Sequence, residues 1–225
     1  MKKPLDWKAL GQFVSVLVNL FAVIRNTLSG ISVDLAFIGW LCAEGKESFI
    51  KTLTSLGQEY LATQRVRVIK PGLIIEVNLE AKPRLPFDGA TVEKHEGEGW
   101  VRVEKRPDGL YINGKKVVLY LSEKQQNGEV IQGHNLREEL SGRDILNANI
   151  LDALLEYLEL IPEDWKKDAK GNARYIFFWA TVYRRDPDGY LFVRCLFWDG
   201  DRWYWGYHGL GDGWFGYYPS AVRAS

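Results

Sequence analysis

Between Asp199 and Tyr218 the chain reads DGDRWYWGYHGLGDGWFGYY, and fifteen of these twenty residues are Asp, Gly, Tyr, His or Phe. Three of the other five are Trp. Leu210 is the sole aliphatic residue, too little for a core, while the lack of Lys and Glu ill suits a solvated face. The composition suits a contact surface instead. Tyr and Trp offer large, rigid, amphipathic area with few rotors to freeze, and Gly with short polar residues shapes the loops between them, as in an antibody paratope. The chemistry expected is recognition by stacking and hydrogen bonding through Tyr190, Phe192, Phe197, Tyr204, Tyr207, His208, Asp212, Phe215, Tyr217 and Tyr218, with Trp198, Trp203, Trp205 and Trp214 as scaffold. The competing reading of the same residues is an aromatic-rich small β core.

Other chemistry-bearing residues point to less. Glu93, Glu96 and Glu98 bracket His95 in TVEKHEGEGW, an arrangement for acid/base work, yet a strand leading into a glycine-rich turn places them in solvent. Aspartates cluster in DPDG, DGD and GDG, but the twelfth position from Asp186 is Phe197, where an EF-hand loop needs a bidentate Glu. Hairpin turns explain these Asp-Gly pairs better. His95, His134 and His208 share no metal-ligand spacing with one another or with Cys42 and Cys195, so neither zinc nor a histidine triad is expected. No GxxxxGK[ST], GxSxG or HExxH occurs. The reading is therefore a non-enzymatic protein without metal or cofactor.

The 225 residues contain 29 Lys plus Arg and 29 Asp plus Glu, so no global field draws the chain to nucleic acid. Asp6 and Lys8 follow the opening Met-Lys-Lys, and no small-x-small cleavage site succeeds the apolar run, which favours a cytoplasmic protein with reduced cysteines. The uncharged stretch Ala9 to Ile24 is interrupted by Gly11, Gln12 and Asn19 and is below spanning length. A buried or surface-docked helix is the favoured reading there, ahead of membrane contact through residues 9–24.

These residues must be carried by elements, and the periodicity predicts them. Leu10, Phe13, Val14, Leu17, Leu20, Phe21 and Ile24 fall on one helical face, and further helical stretches carry Leu35, Ile38 and Leu41, then Phe49, Leu53, Leu56 and Leu61. From Gln64 the period changes to two, through Val66, Val68, Ile75, Val77 and Leu79, with a turn at Pro71-Gly72. WVRVEKRPDGLYINGKKVVLYL predicts an antiparallel meander, reversed at Pro107-Asp108-Gly109 and at Asn113-Gly114. Ile145, Leu146, Ile150, Leu151, Leu154, Leu155 and Leu158 predict a helix ended by Pro162. The expected division is a helical region 1–62, an α+β domain 63–163, a charged linker 164–174 and an aromatic β-rich module 175–225 that contains neither Lys nor Glu. The last two folded parts packing as one unit is the alternative.

FFWATVYR, DGYLFVRCLFWDGDRWYW and PSAVRAS, preceded by LNANILDALLEYLELIPEDWK and GLYINGKKVVLYLSEKQQNG, resemble an uncharacterised family of hypothetical proteins from candidate-phylum bacteria. The resemblance covers roughly residues 85–225 and brings no activity with it. Its alternation of frame and free positions is similar to the variable proteins of diversity-generating retroelements, where template adenines are randomised. Tyr, Phe, Cys, Asp, Gly and His are reachable from AAY codons and Trp is not. The resemblance thus implies displayed residues at the ten positions named above and at Cys195, with fixed tryptophans between them. It also implies a C-type-lectin-like module, although that fold's glycine-tryptophan and arginine-rich frame is missing here.

Taken together, the sequence predicts an α+β protein with a helical N-terminal region, an antiparallel meander with a following helix, and a C-terminal aromatic module that binds a protein or carbohydrate ligand. The alternatives are a carbohydrate-binding module, an assembly protein that oligomerises through its N-terminal helices, and a carboxylate-dependent enzyme of unfamiliar type.

Overall fold

A computed structural model describes residues 64–70 and 74–224, together with nine positions between Glu44 and Ser55. The chain divides into two compact units, Met1–Glu59 and Tyr60–Ser225, close to the first expected boundary. The described positions from Glu47 to Ser55 are helical. The expected helices before them, the stretch 9–24 and the turn at Pro71-Gly72 lie outside the described residues.

The second unit is dominated by one antiparallel sheet. Its chain order begins with β1 (Val66–Lys70), β2 (Ile74–Asn78), β3 (Ala90–His95), β4 (Trp100–Arg106), β5 (Gly109–Ile112) and β6 (Lys115–Tyr120). Strands β4 to β6 form the expected meander. Asn113 and Gly114, at φ 49° and 78°, make its second reversal, a left-handed pair that Asn-Gly adopts with little strain. Next come α1 (Glu123–Gln126), β7 (Ile131–Gln132), α2 (Gly133–Glu139) and α3 (Ala148–Glu156). The series ends with β8 (Tyr175–Phe177), β9 (Thr181–Arg185), β10 (Leu191–Trp198), β11 (Trp203–Gly209), β12 (Gly213–Trp214) and β13 (Ser220–Arg223).

The sheet runs β1-β2-β4-β5-β6-β13-β8-β10-β9-β3, with β11 paired to β10 off this path. Strands β8 and β9 share one edge of β10 because residues 178–180 bulge out between them. Beyond the bulge they diverge, β8 to β13 and β9 to β3. Strands β7 and β12 form a small separate pair.

One face of the sheet holds α3, every residue of which from Ala148 to Leu154 is buried. A helix so enclosed has no solvated stripe, and its polar members Asn149 and Asp152 need partners inside the core. Around it pack Val77, Val103, Ile112, Ile176, Leu196 and Trp165. The opposite face carries Leu136, Leu140, Phe177, Trp179, Val193, Leu210 and Trp214.

Two expectations are corrected. Residues 164–174 are not a linker: Trp165 is buried in the helix-side core, and an Lys167–Ala173 bridge closes the segment as a hydrogen-bonded loop. Residues 175–225 are not an independent module, lectin-like or otherwise, because β13 pairs β6, β9 pairs β3 and β12 pairs β7. Their apolar faces are covered by the middle of the chain, which makes residues 60–225 one unit. No described helix is long and apolar enough to cross a membrane.

Candidate functional site

The aromatic residues singled out by composition lie on and around the β10–β11 hairpin. The two strands pair without a break from Phe192–Gly209 to Trp198–Trp203. Side chains alternate in direction along a strand, so the hairpin sorts its residues onto two faces of the sheet.

On the helix side stand Phe192, Arg194, Leu196 and Trp198 of β10, opposite Tyr207, Trp205 and Trp203 of β11. Phe192 is buried, and Phe87, Tyr190 and Tyr207 surround it with ring centroids 5.7, 5.2 and 5.3 Å away. The Arg194 guanidinium lies 4.6 Å from the Trp205 ring centroid. Trp198 and Trp203 meet edge to face at 5.5 Å, and the Lys166 ammonium covers Trp198 at 3.9 Å. Because α3 stops short of β11, Trp205 and Tyr207 are left 41% and 46% exposed.

The other side carries Phe197 of β10 with Tyr204 and His208 of β11. Rings run from Tyr204 to Phe197 at 5.9 Å, to Tyr175 at 4.8 Å, to Tyr217 at 6.3 Å and to Phe215 at 5.6 Å. Three of these contacts are stacked, so the ring faces are spent on one another, and the Arg202 guanidinium caps Tyr204 at 4.5 Å. His208 is half-buried against Trp214 and Tyr218, and its Nε2 donates to the Gly213 carbonyl at 3.1 Å. Burial pushes the Tyr218 hydroxyl up to about 12. Asp212 is exposed and accepts from Tyr190 Oη at 3.2 Å.

The expected set is therefore gathered on and around one hairpin but not on one face. Of the four scaffold tryptophans, Trp214 is fully buried while Trp205 belongs with the displayed residues, because β11 extends past the helix that covers its neighbours. Phe192 and His208 belong more to packing than to display. Phe87, in the extended KPRLPF segment, and Tyr175 complete the two aromatic clusters and were not picked out by composition. The alternation of Tyr175 with the buried Phe177 was the available signal for the second.

The groups able to do acid/base chemistry are placed differently. Glu93, Glu96 and Glu98 are exposed, with Glu93 held by Arg184 at 2.8 Å and Glu96 by Lys94 at 2.8 Å. Asp199 and Asp201 are exposed at the hairpin tip. His95 is half-buried in a network that assigns its protons: the Thr181 hydroxyl accepts from the Ala148 N–H at 3.0 Å and donates to His95 Nδ1 at 2.7 Å. His95 Nε2 then donates to the Leu79 carbonyl at 2.8 Å. Desolvation lowers the imidazole's affinity for a second proton, against the pull of the Leu79 and Ala81 carbonyls. A hydroxyl, an imidazole and a helix N-terminus in line resemble an activated nucleophile, but Thr181 is wholly buried. Here the trio ties β3, β9 and α3 together.

A cleft of about 660 Å³ opens beside Lys94, Glu96, His134, Arg137, Glu138, Arg143 and Trp179, away from the hairpin. Its lining mixes both charge signs and contains none of the aromatic residues predicted to bind. Among the described residues no cluster of His, Cys, Asp and Glu could hold a metal ion. No family model matches the chain, and no curated protein or solved structure does.

Proposed function

We propose that this protein is a recognition protein whose contact surface is the β10–β11 hairpin, centred on Trp205 and Tyr207. The observation that carries the reading is that two large aromatic side chains stand 41% and 46% exposed on a strand with no neighbour beyond it among the described residues. Isolated exposed apolar residues are ordinary, whereas adjacent ones flanked by a packed aromatic cluster mark an interaction site. Trp205 is also held in place, since Arg194 beneath it is itself fixed to α3. A preorganised aromatic anchor loses little freedom on binding.

The stacked ladder on the other side does not favour sugar binding, because a sugar ring needs a free aromatic face and these faces are occupied or capped. Diversified display, as in retroelement variable proteins, fits the exposed members Tyr207 and Phe215. It fits Cys195 and Phe192 poorly, since variation there would alter the core.

The test uses the full chain on two panels, immobilised oligosaccharides and displayed linear peptides, beside the double variant Trp205→Ala/Tyr207→Ala. Binding that weakens about tenfold or more in the variant, with an unchanged circular dichroism spectrum, supports the hairpin as the contact surface. Binding that survives the double substitution moves the site elsewhere.

A further inference from the structure

The sheet has three free edges among the described residues, β1, β3 and β11, and two of them carry the devices by which natural proteins keep edges from pairing. Strand β1 bears Arg67 and Lys70 and has a register break between Val68 and Lys70. Strand β3 bears Glu93 and Lys94 and has a break between Val92 and Lys94. Strand β11, WYWGYHG, has no Lys, Pro or carboxylate, and its register against β10 is unbroken.

Bonded pairs close the β10–β11 ladder at both ends. Leu210 N–H donates to the Leu191 carbonyl at 2.9 Å and Asp199 N–H to the Arg202 carbonyl at 3.1 Å. Because bonded pairs alternate along an antiparallel ladder, those between fall at Val193/His208, Cys195/Gly206 and Phe197/Tyr204. The N–H and C=O groups of Trp203, Trp205 and Tyr207 therefore face away from β10.

We infer that this edge takes up an extended peptide segment as an added strand, an assignment that rests on the recognition reading above. The aromatic residues lie on both faces of the hairpin, which suits no compact ligand but suits a strand, whose alternate side chains reach opposite faces. One set would meet Trp205, Tyr207 and the Phe87–Phe192 cluster, and the other Tyr204 and Phe197. From Trp203 to Tyr207 the edge covers about 17 Å, the length of a five-residue strand. A second copy of this chain is the weaker occupant, since a stable dimer buries about 800 Å² on each partner and one short edge supplies less.

The probe is a phage-displayed library of random linear dodecapeptides panned on the full chain, the best binder then being synthesised with a single N-methyl group at each residue in turn. Strand addition predicts losses of about tenfold or more at every second residue, those whose N–H faces β11, and little change between them. Tyr207→Pro removes an outward N–H without touching the β10 ladder and weakens binding about tenfold, as does Trp205→Lys, which charges the edge. The peptide scan reads the same periodicity even where a protein variant does not fold. An aperiodic scan overturns strand addition and leaves recognition by the hairpin standing. Glycan binding that depends on Trp205, with no peptide enriched, likewise overturns the peptide and keeps the hairpin, whereas no binding on either panel removes both. A dimer by sedimentation that Trp205→Lys dissociates assigns the edge to a second copy and overturns the peptide.

Discussion

Arg194 Nη2 on β10 stands 2.9 Å from Asp152 Oδ1 on α3, with the two side chains 3% and 6% exposed. Burying both charges is offset by their attraction only while both are present, and Asp152 Oδ2 and Arg194 Nε have no further hydrogen-bond partner among the described residues. Asp152→Ala is therefore expected to cost about 3 kcal/mol or more in urea unfolding, because it strands the guanidinium in the core. The double variant Asp152→Leu/Arg194→Met should recover most of that loss. A double variant as unstable as the single one would mean that the helix depends on shape at this point and not on charge.

Thr181 serves two partners at once, accepting from Ala148 N–H and donating to His95. Thr181→Val keeps the volume and removes both bonds, for an expected loss of about 1–3 kcal/mol. Thr181→Ser keeps the hydroxyl and should lose markedly less, which thermal unfolding of the three proteins side by side will read.

Burial holds His95 neutral below the usual imidazole value of about 6.5. In the window between the folded and unfolded values the unfolded chain binds the proton and the folded one does not. Stability from this group is thus full above about pH 6.5 and is lost as pH falls through the folded value. Urea midpoints measured from pH 7.5 down to 5 should drop further for the wild type than for His95→Gln. Parallel curves would show that the imidazole takes its second proton without cost.

Gly133 opens α2 directly against the β11–β12 turn. A Cβ at this position would stand 2.7 Å from Leu210 Cα and from the Leu210 carbonyl oxygen, and closer still to Trp214 Nε1. Backbone cannot yield as a flexible side chain does, so Gly133→Ala is expected to destabilise by about 1–3 kcal/mol. Gly142→Ala places a Cβ in open space but at φ 83°, and should cost about 1 kcal/mol from backbone strain alone.

Desolvation pushes the Cys195 thiol up to about 12, so almost no thiolate exists at pH 8. Iodoacetamide should leave the Cys195 peptide unmodified in the native protein and label it fully in urea, as mass spectrometry of the digest will read. Native labelling would mean that β10 opens locally.

The meander and α3 were legible because their signals are local. Asn-Gly fixes a reversal by its own backbone preferences, and a three- and four-residue apolar stripe needs no partner to be seen. The stripe did not reveal the helix's surroundings, since α3 has no solvated side from Ala148 to Leu154 and its polar members are buried as well. Helix α1 had a readable start in Ser122-Glu123-Lys124-Gln125, whose capping box forms, but four residues make no periodicity. The contact surface was legible as composition only. Which tryptophan is exposed depends on where α3 ends over β11, and Arg194 lies 42 residues from the aspartate that fixes it. Nor does any local pattern state that β11 has one neighbour while β10 has several.

The place of β13 in the sheet bears on how the molecule is made. Ser220–Arg223 lies between β6 and β8, and Ala224 N–H reaches back to the Lys116 carbonyl at 2.8 Å. On the ribosome, the run β1-β2-β4-β5-β6 and the group of β3 with β8 to β11 are thus complete while no strand yet joins them, each ending in a bare rim. Closure waits for residue 223 to clear the exit tunnel, and contacts spanning a hundred residues form last and slowly. Until then the nascent chain holds unpaired strand edges, which makes it a natural client for chaperones that bind extended, apolar segments.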